Sequence, residues 1–322
     1  MPFTSEHLRA IPVALLALGA ACGAPGETAS TSADASAVAL PSRFTADRIY
    51  AMVPTRGGDT LNLYTDTGGG LFVSRDAARR IGWQDTTSLD LSQVATDSQF
   101  PDPLGTPDHR VPIFQPPANP LGDFDGMLGQ AWFADRIWTF DYTAKELLLH
   151  QAAPAIPSGA ATVPLGFRAD STGRRALSFP RIVAVVDGDT LQLLFDTGAT
   201  GFLSAQAMSA LGDGAPAVRA TSFISSEVLN RWRQRHSDWR ILENADDIIA
   251  GMRMIEVPEI TVAGFAVGPV WFTERPDRNF HEFMSQFMDR RVDGALGGNA
   301  FRFFRITVDY PAAVAHFVPR RG

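Results

Sequence analysis

Cysteine is almost absent from this 322-residue chain, Cys22 being the only one. No disulfide can form within the chain, and the body holds neither zinc-binding Cys-x-x-Cys spacing nor a Cys–His nucleophile pair. Lysine is as scarce: Lys145 stands alone with no glycine-rich phosphate loop before it, so nucleotide chemistry has no support. There is no His-Glu-x-x-His, and His109, His150, His236, His281 and His316 are scattered without ligand spacing. No metal and no cofactor are expected. A basic excess is also missing: the formal charge is −7 and the pI near 5.4, which excludes the electrostatic footprint of nucleic-acid binding.

Long apolar runs are missing too. Ile11 to Ala21 is Ala/Leu-rich but too short for a permanent membrane span, and with Arg9 before it the run reads as the apolar core of an export signal over 1–22. Its end, Gly19-Ala20-Ala21-Cys22, resembles a bacterial lipoprotein signal, with Gly19 where Leu is usual. The resemblance implies lipidation of Cys22 and a membrane-anchored protein at the periplasmic or cell surface. The following stretch, placed at 23–44, is dominated at its start by Ala, Ser, Thr, Gly and Pro and reads as a flexible tether.

What the chain does have is a frame that occurs twice. Gly58-Asp59-Thr60-Leu61 leads to Asp66-Thr67-Gly68 and then Phe72 and Ser74; Gly188-Asp189-Thr190-Leu191 leads to Asp196-Thr197-Gly198 and then Phe202 and Ser204. A second frame follows each copy: Asp125-Gly126-Met127-Leu128-Gly129 precedes Asp141-Tyr142, and Asp293-Gly294-Ala295-Leu296-Gly297 precedes Asp309-Tyr310, sixteen positions separating the aspartates in both. Each copy contributes one Asp-Thr-Gly, so the duplication predicts two carboxylates brought together.

Local pattern predicts a hairpin before each Asp-Thr-Gly, over Arg48–Pro54 with Thr60–Thr65 and over Arg181–Val186 with Thr190–Phe195, because Gly-Gly and Gly-Asp favour tight turns between alternating strands. Further β-prone runs at 255–262, 265–272, 138–142 and 305–310 make the chain mostly β. An Ala/Pro/Gly-rich connector over 151–164 divides an N-terminal unit, 45–150, from a C-terminal unit, 165–322. Asp66 to Asp125 spans 59 positions and Asp196 to Asp293 spans 97, so the second unit carries 38 more. The surplus is expected at about 225–250, where Arg231-Trp232-Arg233 and Trp239-Arg240 lie among Glu243, Asp246 and Asp247 and read as a solvated helical insertion.

Taken together, the two frames resemble those of the aspartic proteases, and the retropepsin-like branch more than pepsin, because Gly69 and Ala199 follow the motif where pepsin-type lobes usually carry Ser or Thr. The resemblance covers roughly 48–149 and 181–318. It implies a bilobal fold of two duplicated β-barrel-like lobes with a cleft between them. It also implies a catalytic pair Asp66 and Asp196, bracing of the two loops by Thr67 and Thr197, close approach allowed by Gly68 and Gly198, and short helices at 131–133 and 300–303. The implied partner is a peptide or protein substrate, handled by a monomer that carries both halves of the site. The alternative is a catalytically silent peptide-binding or scaffold protein of the same fold. Neither half shows a recognisable flap; the candidate in the first half is 90–111, which has three prolines and no tyrosine.

Overall fold

The computed structural model describes residues 37–96, 100–115 and 124–320. The expected export signal, Cys22 and most of the expected tether lie outside them. Among the described residues strand predominates over helix, 40% to 17%, in several open sheets, and no barrel closes, contrary to the barrel-like lobes expected.

One sheet belongs to each half, and the two share an order. In the first, Arg48–Pro54 pairs antiparallel with Thr60–Thr65, and Gly126–Leu128 lies between Thr60–Thr65, to which it is parallel, and Phe72–Ser74, to which it is antiparallel. Val111–Phe114 then adds parallel to Phe72–Ser74, and Ser88–Leu89 adds antiparallel at the edge. The second half repeats the series with Arg181–Val186, Asp189–Phe195, Gly294–Leu296, Ser222–Ser225, Val270–Arg275 and Met254–Val257. The glycine opening each inserted strand is sterically required: a Cβ on Gly126 would stand 2.2 Å from the Phe72 carbonyl oxygen, and one on Gly294 2.1 Å from that of Phe223. The preceding aspartates bind the same strands, Asp125 accepting from Asn62 N–H at 2.7 Å and Asp293 from Gln192 N–H at 3.1 Å.

This order moves the insertion. The counterpart of Phe72-Val73-Ser74 is Phe223-Ile224-Ser225, not the segment at Phe202–Ser204: Ser74 N–H and Ser225 N–H donate to the Asp125 and Asp293 carbonyls at 2.7 and 2.9 Å. The offset between halves is 130 at the aspartates and 151 at these strands, so 21 of the 38 surplus positions fall at 200–220. That unit is a two-stranded ribbon, Thr200–Phe202 with Val218–Ala220, carrying the helix Ala205–Leu211. Ser204 caps that helix as Ser74 caps Arg75–Arg80, which is why the sequence pattern matched there. The helix Ser226–Arg235 is therefore the counterpart of Arg75–Arg80, lengthened, and Trp232 on it is fully buried against Phe272. The expected solvated insertion is correct only for its outer face. Arg80 joins Asp59 and Asp125 at 2.7 Å, and Arg231 at the matching position joins Asp189 at 3.0 Å, so Asp59 and Asp189 anchor helices as well as closing turns.

A six-stranded sheet unites the halves, with Ile137–Asp141 of the first paired to Phe304–Asp309 of the second. Its edges absorb two segments expected to be irregular. Ala37–Leu40 pairs with Glu146–His150, and Ala161–Pro164 pairs with Val314–Pro319; Ser42–Thr45 likewise pairs with Arg48–Pro54. The tether thus cannot extend to 44, nor the connector to 164. Short Ala/Val/Thr segments that pattern weakly on their own are ordered by an edge that supplies their hydrogen bonds.

Candidate active site

Each Asp-Thr-Gly leaves the end of a central strand, and the adjacent inserted strand holds it there: Asp66 N–H donates to the Leu128 carbonyl at 3.0 Å and Asp196 N–H to that of Leu296 at 2.9 Å. The two loops meet through reciprocal hydrogen bonds. Thr67 Oγ1 donates to the Phe195 carbonyl at 2.7 Å and accepts from Thr197 N–H at 3.0 Å. Reciprocally, Thr197 Oγ1 donates to the Thr65 carbonyl at 3.4 Å and accepts from Thr67 N–H at 3.1 Å. Both threonines are fully buried. Gly68 and Gly198 permit the approach: a Cβ on Gly68 would lie 2.7 Å from Asp196 Cγ, and one on Gly198 2.1 Å from Asp66 Cγ.

The two carboxyls, brought together from 130 positions apart, each lie against the other's loop, close enough for each to alter the other's hold on a proton. Each also accepts from the glycine of its own loop, Asp66 Oδ1 from Gly68 N–H at 3.0 Å and Asp196 Oδ1 from Gly198 N–H at 2.9 Å. Burial pushes both above the usual carboxylate range. Asp196 is pushed further, because the charge of Asp66 adds to its burial; Asp66 is raised less, since its hydrogen bonds to Asp196 and Gly68 favour its ionised form. Both carboxyls therefore keep a proton more readily than an ordinary carboxyl does.

Tyr64 and Arg48 were not singled out by sequence. Tyr64 lies two residues before Asp66, buried at 1% exposure, and crosses to the other half: its hydroxyl donates to the Gly198 carbonyl at 2.9 Å and shares a hydrogen bond with Thr200 Oγ1 at 2.7 Å. Burial, and then the Asp66 charge, push its phenol well above 10. The position equivalent to Tyr64 is Leu194, so this link is made once only. A tyrosine on the strand entering the first motif was the available signal. Aromatic rings continue beside it, Phe124 at 5.7 Å from Tyr64, and Phe72 against Phe114 at 4.4 Å.

The flap candidate connects the antiparallel strands Ser88–Leu89 and Val111–Phe114, but the described residues between them form no ladder of their own. Leu91–Val94 is a helical turn, Phe100 is buried, and Trp132 Nε1–H and the Arg136 guanidinium donate to the Pro101 and Asp102 carbonyls at 2.8 and 2.6 Å. This segment is pinned to the body of the first half. The short helices are Gln130–Phe133 and Gly298–Phe301, one to two residues earlier than expected. Among the described residues no three His, Cys, Asp or Glu side chains group as metal ligands, and no helix is long and apolar enough to cross a membrane. No protein-family model and no characterised protein matches the chain.

Proposed function

We propose that this protein is a bilobal aspartic endopeptidase of the retropepsin-like kind, with Asp66 and Asp196 as its catalytic residues. The observation that carries the reading is the meeting of two carboxyls, one from each half, Asp196 buried and Asp66 partly buried, on loops locked by reciprocal threonines. The repeated sheet order and the sheet common to both halves support the fold assignment. Two carboxylates facing one another in this way do not both ionise readily, so one proton is shared. The ionised member takes a proton from an attacking water while the protonated member donates to the carbonyl oxygen of the scissile bond, and the departing amine is then protonated. No covalent intermediate is required.

Export and lipidation at Cys22 belong to the same proposal: the protein acts at a membrane surface, and intact-mass analysis of the membrane fraction detects the acylated Cys22 terminus. Digestion of a complex peptide mixture, read by mass spectrometry, tests the activity. New termini that arise with the wild type and not with Asp66→Asn support proteolysis. Peptides retained by the folded protein but never cut would identify the silent binding module instead.

A further inference from the structure

Arg48, outside the pair, is a buried guanidinium that the described residues leave incompletely compensated. It is 7% exposed, and its Nε and Nη1 are buried without a hydrogen-bond partner. Its contact is the ring of Tyr50, 5.5 Å from the guanidinium carbon, and a ring face replaces only part of the hydration that burial removes. A buried guanidinium calls for an anion.

The register locates it. Tyr50 lies opposite Tyr64, and Thr65 Oγ1 donates to the Ile49 carbonyl at 2.9 Å; one further antiparallel step sets Arg48 across from position 66, on the face that carries Tyr50 and Tyr64. Its charge is felt at the Tyr64 hydroxyl, the group that reaches the opposite catalytic loop. In the second half Arg181 lies opposite Leu194, and the same continuation sets Phe179 across from position 196. Phe179 meets Phe287 at 6.0 Å, and Phe287 meets Phe283, which is 64% exposed, at 5.5 Å. Corresponding places on the two sides of the carboxyl pair therefore hold a guanidinium and an aromatic wall.

We infer that Arg48 is a specificity-determining residue that receives a carboxylate of the peptide on one side of the scissile bond, while the Phe179–Phe287 wall receives an apolar side chain on the other. The substrate class is an acidic peptide read with polarity. Either an Asp or Glu side chain or a free C-terminal carboxylate supplies the anion, and the planar fork of the guanidinium suits both. This inference rests on the reading of the pair as a peptide hydrolase.

The test uses the best-cut peptides from a library with free and amidated C-termini, each resynthesised with its Asp or Glu changed to Asn or Gln. The acidic form is expected to have the higher kcat/KM, by about 30-fold or more and mainly through KM, as for truncation of one partner of a buried charge pair. Amidation abolishing the preference assigns the anion to the C-terminus; loss on the Gln or Asn change alone assigns it to a side chain. In Arg48→Met the acidic-to-neutral ratio collapses towards one, and Arg48→Lys restores part of it. Equal cleavage of acidic and neutral twins by the wild type, which needs no variant, overturns the inference, as does a preference that survives in folded Arg48→Met. If the wild type cuts no peptide, the hydrolase reading fails separately. Calorimetric titration of the same twins then decides on Arg48, and equal affinity overturns its role.

Discussion

Asp196 is held at an electrostatic cost by its burial beside Asp66. Because burial and the Asp66 charge raise its carboxyl above the ordinary value, the folded chain binds this proton more tightly than the unfolded chain does. Its contribution to stability is therefore present below the unfolded carboxylate pKa of about 3.9 and is lost as pH rises through the higher folded value. Asp196→Asn, which cannot ionise yet keeps an oxygen for Gly198 N–H, is expected to melt several degrees higher than the wild type at pH 7 and about the same at pH 3. Calorimetry at the two pH values checks this, and an unchanged melting temperature at pH 7 would mean that the carboxyl is not held in this way. The threonines act in the opposite direction. Thr67→Val strands the Phe195 carbonyl and the Thr197 N–H inside the protein and is expected to cost about 2–4 kcal/mol in urea unfolding, with Thr67→Ser close to wild type. Residues repeated in both halves were legible in the sequence, because the repetition of Asp-Thr-Gly singles them out. Tyr64 and Arg48 were not, because their counterparts Leu194 and Phe179 differ in kind and comparing the halves conceals them.

At the scale of elements, hairpins were read within a residue because alternation and glycine turns are local, whereas the choice between Phe202–Ser204 and Phe223–Ser225 was not local at all. Both segments read Phe-aliphatic-Ser followed by a capped helix, and only pairing with Gly294–Leu296 distinguishes them. A longer signature was available: Phe72–Arg80 and Phe223–Arg231 share Phe, Ser and Arg in register with an acidic residue at Asp76 and Glu227, and that arginine reaches the turn aspartate in each half. The lengthened helix Ser226–Arg235 supplies the element-scale prediction. Trp232→Ala is expected to destabilise by about 3–5 kcal/mol as a core truncation, and Arg233→Ala, on the exposed side with a loose 3.8 Å contact to Glu243, by under about 1 kcal/mol. Equal small effects in denaturant titrations would restore the helix to a solvated insertion.

For the whole molecule, the six-stranded sheet makes the halves one structure. Ile137–Asp141 and Phe304–Asp309 pair over five residues across the divide, and Thr139 Oγ1 and Thr307 Oγ1 share a hydrogen bond at 2.7 Å. Turnover per molecule is therefore expected to stay constant across a wide dilution series, since both carboxyls come from one chain; a steep fall on dilution, paralleled in light scattering, would assign the site to two chains. Cutting the exposed connector near Ser158 is expected to leave the halves associated and active under native conditions. The central claim is that Asp66 and Asp196 work as one unit holding one proton, and a double-mutant cycle on the best-cut peptide tests it most directly. Asp66→Asn, Asp196→Asn and the double variant, each verified as folded, are predicted to lose turnover to similar depth, because removing either carboxylate already disables the pair. A single variant with near wild-type turnover, or two partial losses that multiply in the double variant, would contradict the account.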